Sequence, residues 1–201
     1  MGCVEPADLT GERLNPLAGR LLVASPTLVD PNFARTIVLL LDVDDDGVLG
    51  VVLNRPSEVA VGEVLEPWAE VVGAPRVLFR GGPVGTDSAL AVATLANETQ
   101  PSDERPVGWR PLFGGTGLVD LDVPSEVIVP ALRGMRIYAG YAGWSFEQLE
   151  SEIAEGAWYV VPGERQDVFY ADPGDLWQQV LRRQPAPLAW LATYPEDPSQ
   201  N

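Results

Sequence analysis

Ile37-Val38-Leu39-Leu40-Leu41, then Asp42-Val43-Asp44-Asp45-Asp46-Gly47, then Val48-Leu49-Gly50-Val51-Val52-Leu53, is the stretch whose reading decides the fold. Two short runs rich in Val, Ile and Leu flank an acidic segment that ends in Asp-Gly. Branched residues of this kind suit a pleated, packed surface. Asp46-Gly47 between them predicts a tight antiparallel hairpin, with both turn positions at positive φ. Neither run alternates apolar with polar, so the hairpin is expected to be buried on both faces.

Working outward, Gly19–Ser25 reads as a first strand stopped by Pro26, and Asp30-Pro31-Asn32-Phe33 as a turn with Asx capping. On the other side, Val61–Val72 predicts a helix interrupted by Pro67, and Val77-Leu78-Phe79 a strand ending in Gly81-Gly82-Pro83. Ala89–Thr94, Leu118–Val123, Met135–Ala139, Trp158–Val161 and Asp167–Tyr170 read as further extended segments. Residues 97–111, rich in Pro and charge, read as a surface loop, and Pro124–Arg133 as a short helix. Ser145-Phe146-Glu147-Gln148 is the best helix start, a capping box with Gly156 as its stop. Asp172-Pro173 opens a last helix that places Leu176, Trp177, Val180 and Leu181 on one face. Strands paired by tight turns, without crossover helices, predict an α+β fold with a mixed, largely antiparallel sheet. Residues 1–18 are expected to be a flexible arm, 19–191 one domain and 192–201 a tail.

Composition removes whole classes of chemistry. The 201 residues carry a net charge of -16, with no histidine, and all 13 basic residues are arginine. Ser–His–Asp and Cys–His catalysis, imidazole metal sites, Schiff-base lysine and the phosphate-loop lysine are therefore absent from this chain. Direct nucleic-acid contact needs a basic face, and Arg182-Arg183 is the only basic pair. The lone Cys3 gives no disulfide and fits a reduced, cytoplasmic setting. No run is long enough to span a bilayer, and no cofactor or metal is expected.

Several motifs carry two readings. Asp42–Gly47 matches half of a calcium loop, but Leu53 stands where that loop needs Glu; the alternative is an acidic hairpin tip. Gly115-Thr116-Gly117 begins like a dinucleotide loop, yet its third glycine is Asp120, which leaves a flexible loop. Arg55, in Leu53-Asn54-Arg55-Pro56, is a donor fork suited to carboxylate or phosphate, or else the partner of a surface acid. Gly81-Gly82 could turn amides toward an anion or simply make a bend. Gly140–Ser145 joins a strand to a capped helix, a common ligand position, where Tyr141 and Trp144 could wall a pocket or plug the core.

Gly19–Leu22 with Ser25-Pro26, Asp30–Ile37, Gly50–Pro56, Gly81–Val84 and Gly140–Trp158 occur in that order. In this the chain resembles the YqgE/AlgH family of small bacterial proteins, over roughly residues 19–183. The resemblance implies a bifurcated sheet curled into a pseudo-barrel with helices packed on it. It supplies no catalytic residues; some members are labelled transcriptional regulators. Its recurrent positions match Asn54, Arg55, Pro56, Gly81, Gly82, Pro83, Gly140, Tyr141, Gly143, Trp144, Gln148, Leu149, Glu152 and Trp158. Many members have a histidine near the hairpin, where this chain has Val43 among aspartates, so a mechanism resting on that imidazole would not transfer.

The leading expectation is a non-enzymatic, cytoplasmic binding or regulatory protein for an unknown small molecule or protein, without direct DNA contact. Its expected ligand residues are Asn54, Arg55, Gly81, Gly82, Tyr141, Gly143, Trp144 and Gln148. The alternative is a hydrolase-like enzyme using Glu147, Glu150 or Glu152 in carboxylate chemistry. A third is a partner protein using Trp190 and Tyr194.

Overall fold

The structure is a computed structural model that describes residues 16–97 and 105–195. Cys3, most of the expected N-terminal arm, the middle of the 97–111 segment and the end of the expected tail lie outside the described residues.

The predicted hairpin is present as β2 (Ile37–Asp44) and β3 (Gly47–Val52). Its turn is Asp45-Asp46, not Asp46-Gly47, and neither aspartate takes positive φ. The Asp44 carboxylate instead accepts from Asp46 N at 2.9 Å and Gly47 N at 3.1 Å, which closes the turn locally. Gly47 is required for a different reason: a Cβ there would lie 2.8 Å from the Trp144 carbonyl oxygen.

The continuity of the apolar runs has a direct cause. Ile37, Leu39 and Leu41 face one core cluster together with Leu21, Val23, Val51 and Leu53. Val38 and Leu40 face another with Leu22, Ala24 and Val52. From Ile37 to Leu41 every residue is fully buried, because helices cover both faces of this part of the sheet. β1 (Arg20–Ala24) pairs β2 on one edge and β10 (Trp158–Pro162) on the other, all antiparallel. On one face lies α5 (Leu176–Arg182), burying Leu176, Trp177, Val180 and Leu181, with the Trp177 indole donating to Ala24 O at 2.8 Å. On the other lies α3 (Phe146–Ala154), which buries Leu149.

β9 (Leu132–Trp144) is the spine of the fold. One of its edges pairs antiparallel with the long β6 (Val84–Leu95), which continues to β8 (Thr116–Val119) and β7 (Trp109–Phe113). Its other edge is divided. β3 takes residues 142–144, while β5 (Val77–Arg80) pairs in parallel with Tyr138 and Ala139 and itself carries β4 (Pro56–Ala60). The sheet therefore forks along β9 and curls into a half-barrel with flanking helices, as the α+β reading required. Gly140 sits at the fork with φ +70°. Its left-handed backbone, which glycine adopts without strain, shifts the in–out phase of the strand. Tyr138 and Tyr141 both face the first cluster although they are three residues apart.

Further local readings differ from the structure: residues 109–111 of the expected loop belong to β7, and Leu132 and Arg133 of the expected helix to β9. Gly140–Trp144 is the end of β9, not a loop before the helix. Residues 167–168 belong to α4 (Arg165–Val168), not to a strand, because Asp167 accepts from Glu164 N at 2.7 Å and starts a helical turn. Gly115-Thr116-Gly117 belongs to the β7–β8 hairpin, and Gly117 is required because a Cβ would meet Arg110 O at 2.5 Å. Val61–Val72 shrinks to α1 (Val61–Val64) and a short 3-10 turn, Glu66–Trp68, since Pro67 ends the α-helical ladder.

Candidate functional site

The Asn54-Arg55 segment leaves β3 and crosses beneath the 30–36 loop. Asn54 is buried, and both ends of its amide are used. Its Oδ1 accepts from Ile37 N at 3.0 Å and its Nδ2 donates to Arg35 O at 2.9 Å. It therefore fixes the start of β2 and has little left for a ligand. Arg55 donates from Nη2 to Ala34 O at 2.5 Å. Among the described residues no carboxylate pairs with it, although the chain holds 29 acids. Partial burial pushes its pKa below the ordinary guanidinium value, which marks a cation short of compensation.

Arg55 stands in the shared wall of two clefts. One, of about 570 Å³, is lined by Arg55, Arg80, Asn32, Ser57, Glu58, Gly82 and Thr86 among apolar neighbours, Glu58 being exposed. The other, of about 730 Å³, is lined by Arg35, Arg55, Asn54, Trp177, Gln178 and the chain from Pro26 to Val29, and carries no acidic side chain among the described residues. Arg80 N donates to Arg55 O at 2.8 Å, so β5 holds the second arginine beside the first. Arg35 has φ +54°, the only positive φ of a described non-glycine residue. Its guanidinium lies 4.6 Å from the Trp177 ring centroid and donates to the carbonyls of Tyr194 and Pro195. Composition alone would have paired all three arginines with acids; Arg80 gave no sequence signal, and Arg35 entered only as part of the Asp30–Ile37 motif.

The glycines at the fork are consumed by packing. A Cβ on Gly81 would lie 2.2 Å from Gly140 O, and one on Gly82 2.2 Å from the Tyr141 carbonyl. Gly81 also donates to Ala139 O and accepts from Val52 N, both at 2.8 Å.

Tyr141, Gly143 and Trp144 lie on the other side of the fork. They border a shallow cleft of about 480 Å³ with Asp42, Asp44 and Asp46. Trp144 is itself buried, packed with Phe33 and Trp158 at centroid separations of 5.7 and 5.9 Å. Beneath them Glu152 accepts from the Trp158 indole at 2.8 Å, the Trp144 indole at 3.1 Å and Gln148 Nε2 at 2.8 Å. Ser145 caps α3 by accepting from Gln148 N, but the Gln148 side chain turns to Glu152 instead of completing the capping box. Gln148 is exposed and borders none of these clefts.

Two of the three expected motif groups thus meet, Arg55 with Gly82, and the third touches them only through the backbone crossing. Of the glutamates considered for catalysis, Glu152 is occupied by three donors, and Glu147 and Glu150 are exposed. In the acidic hairpin, Asp42 pairs with Arg110 at 2.7 Å and Asp44 closes the turn. No group of three potential ligands is placed to hold a metal among the described residues, and none of their helices is long and apolar enough to cross a membrane.

A forked α+β half-barrel, histidine-free, with an arginine-lined double cleft beside the fork, is the class that fold and site define. Residues 21–189 match the model of the AlgH-like family, and the chain belongs to that family. It is 55% identical over 188 residues to a UPF0301 protein of Streptomyces coelicolor, covering 94% of this chain and 97% of that one. A UPF0301 protein of Mycobacterium tuberculosis is 47% identical over 184 residues, covering 92% and 90%. The crystal structure of a Corynebacterium diphtheriae protein, 34% identical, superposes with a TM-score of 0.85 over 91% of this chain and 95% of that one. The solution structure of the AlgH protein of Pseudomonas aeruginosa, 27% identical, gives 0.62 over 97% and 98%.

Proposed function

We propose that this chain is a cytoplasmic binding protein for a small anionic molecule, held at Arg55 where the two clefts meet, and that it does not contact nucleic acid directly. The observation that carries the reading is Arg55 itself: a half-buried guanidinium with one carbonyl partner and no ion-paired acid among the described residues, in a chain rich in acids. A guanidinium desolvated in this way gains most from a carboxylate or phosphate, which it meets through two parallel hydrogen bonds. Asn32, Ser57 and Thr86 supply further donors on the same cleft. The charge of -16 works against a polyanionic duplex but not against a small anion inside a cleft.

The test is thermal unfolding with inorganic phosphate and with acetate, at constant ionic strength. A ligand at ten times its Kd stabilises the native state by about 1.4 kcal/mol, or about 3–6 °C for a chain of this length. The shift is expected in the parent protein and absent in Arg55→Ala. An equal shift in both proteins would place the anion elsewhere.

A further inference from the structure

The second cleft suggests more than a single anion. We infer that the ligand carries two linked anionic groups, as in a diphosphate or a dicarboxylate, one held by Arg55 and the other by Arg35; this rests on the Arg55 reading.

The two arginines belong to one hydrogen-bonded unit. Arg55 Nη2 donates to Ala34 O, and Asn54 Nδ2 donates to the carbonyl of Arg35. Both guanidinium groups line the same cleft, and no described acid lines it with them. Two cations facing one cavity without a counter-charge repel each other, and a dianion relieves that repulsion where a single anion relieves only half of it. The Arg35 fork already holds two neutral oxygens, the carbonyls of Tyr194 and Pro195. Both oxygens meet the same Nη2, so the Tyr194-Pro195 segment holds one corner of the fork with neutral acceptors, a position that an anionic oxygen would also take. A charged group makes the stronger hydrogen bonds and displaces the carbonyls. The left-handed backbone of Arg35 fits this role, since strain of that kind is retained where surrounding structure holds a side chain in a required direction.

Titration calorimetry of the full chain, at matched ionic strength, separates the possibilities. The probes are phosphate against pyrophosphate, and acetate against succinate. In the parent protein at least one doubled probe is expected to bind about ten-fold tighter than its single counterpart, or about 1.4 kcal/mol. Arg35→Gln is expected to abolish that preference, bringing the doubled probe's Kd to within about two-fold of its single counterpart, against that ten-fold scale. Arg35→Gly, whose backbone suits positive φ, repeats the measurement should the first variant fold poorly. Arg55→Ala is expected to weaken single and doubled probes alike. Pyrophosphate preferred over succinate, or the reverse, identifies the chemistry of the groups.

If the doubled probes bind no better than the single ones, or their advantage survives both Arg35 variants, the two-group inference is overturned and the Arg55 reading stands. If Arg55→Ala leaves all binding unchanged, both fall.

Discussion

The fork of the sheet and the cleft beside it are built from neighbouring residues, yet they treat polar and glycine positions in opposite ways. At the fork every group is consumed internally. Gly81 and Gly82 cross the backbone of Gly140 and Tyr141 with no room for a methyl group, and behind them two buried indoles and an amide converge on one carboxylate. At the cleft the three arginines find no acid among the described residues. Arg183 shows what the protein does with an arginine meant for structure. Burial alone would pull its pKa down, but the Asp167 hydrogen bond, with the charges of Asp167 and Glu164, raises it on balance. The difference separates motif residues that make the frame from arginines that no described acid neutralises.

The largest effect is expected at the crossing. Gly82→Ala places a methyl group 2.2 Å from main-chain atoms that cannot move without opening the β9 ladder. The loss should exceed about 3 kcal/mol, read as a fall in the urea midpoint or as failure to fold. A near-parental midpoint would mean that the crossing is soft and that Gly82 is free to face a ligand. Next comes Glu152→Ala, which leaves the Trp144 and Trp158 indoles without their acceptor. A cost of about 2–4 kcal/mol is expected for two buried donors left unmet. Because Phe33 packs against both tryptophans and belongs to the loop carrying Arg35, the same variant should also weaken anion binding indirectly.

How much of this was legible in the sequence follows from what each signal encodes. The β2–β3 hairpin was readable because its residues report burial on both faces, and α5 because four apolar residues at helical spacing report one buried face. The fork was not readable. Gly140–Trp144 has the composition of a loop, and only the need to pass between two leaves of the sheet makes it strand. Asp167 was read as strand because the run Val168-Phe169-Tyr170 that follows it has strand composition and masks its capping contact with Glu164 N, while its ion pair with Arg183 lies sixteen residues away. Arg55 was visible as a donor fork, but its freedom from acids is a tertiary fact. Arg35 and Arg80 became candidates only when the chain brought them to the same clefts.

Arg55→Ala should reverse the profile of the fork variants. It removes one hydrogen bond, so stability should change by no more than about 1.5 kcal/mol, while the anion-induced thermal shift disappears. Equilibrium unfolding and thermal shift on the same preparation check both. A large stability loss would move Arg55 into the frame and erase the contrast.

The smallest effect tests an inconsistency inside the frame. Tyr138 is fully buried with its hydroxyl unpartnered, beside Arg136, which is equally buried and satisfies only part of its guanidinium, through Ala74 O and Tyr170 O. Burial pushes the Tyr138 pKa well above its ordinary value, and the Arg136 charge offsets this only in part. A native pKa above the unfolded one means that the folded chain holds the proton more tightly. The stabilisation is therefore complete below about pH 10, the unfolded tyrosine value, and is lost as pH rises beyond it, by about 1.4 kcal/mol per unit. Tyr138→Phe removes an unpaired hydroxyl, so at neutral pH it should be as stable as the parent or more stable by about 1 kcal/mol. Above pH 10 its advantage should widen by that slope. Parallel pH profiles for the two proteins would mean that the hydroxyl reaches solvent or a partner when the half-barrel breathes. The core beneath the fork would then be as open to small molecules as the cleft.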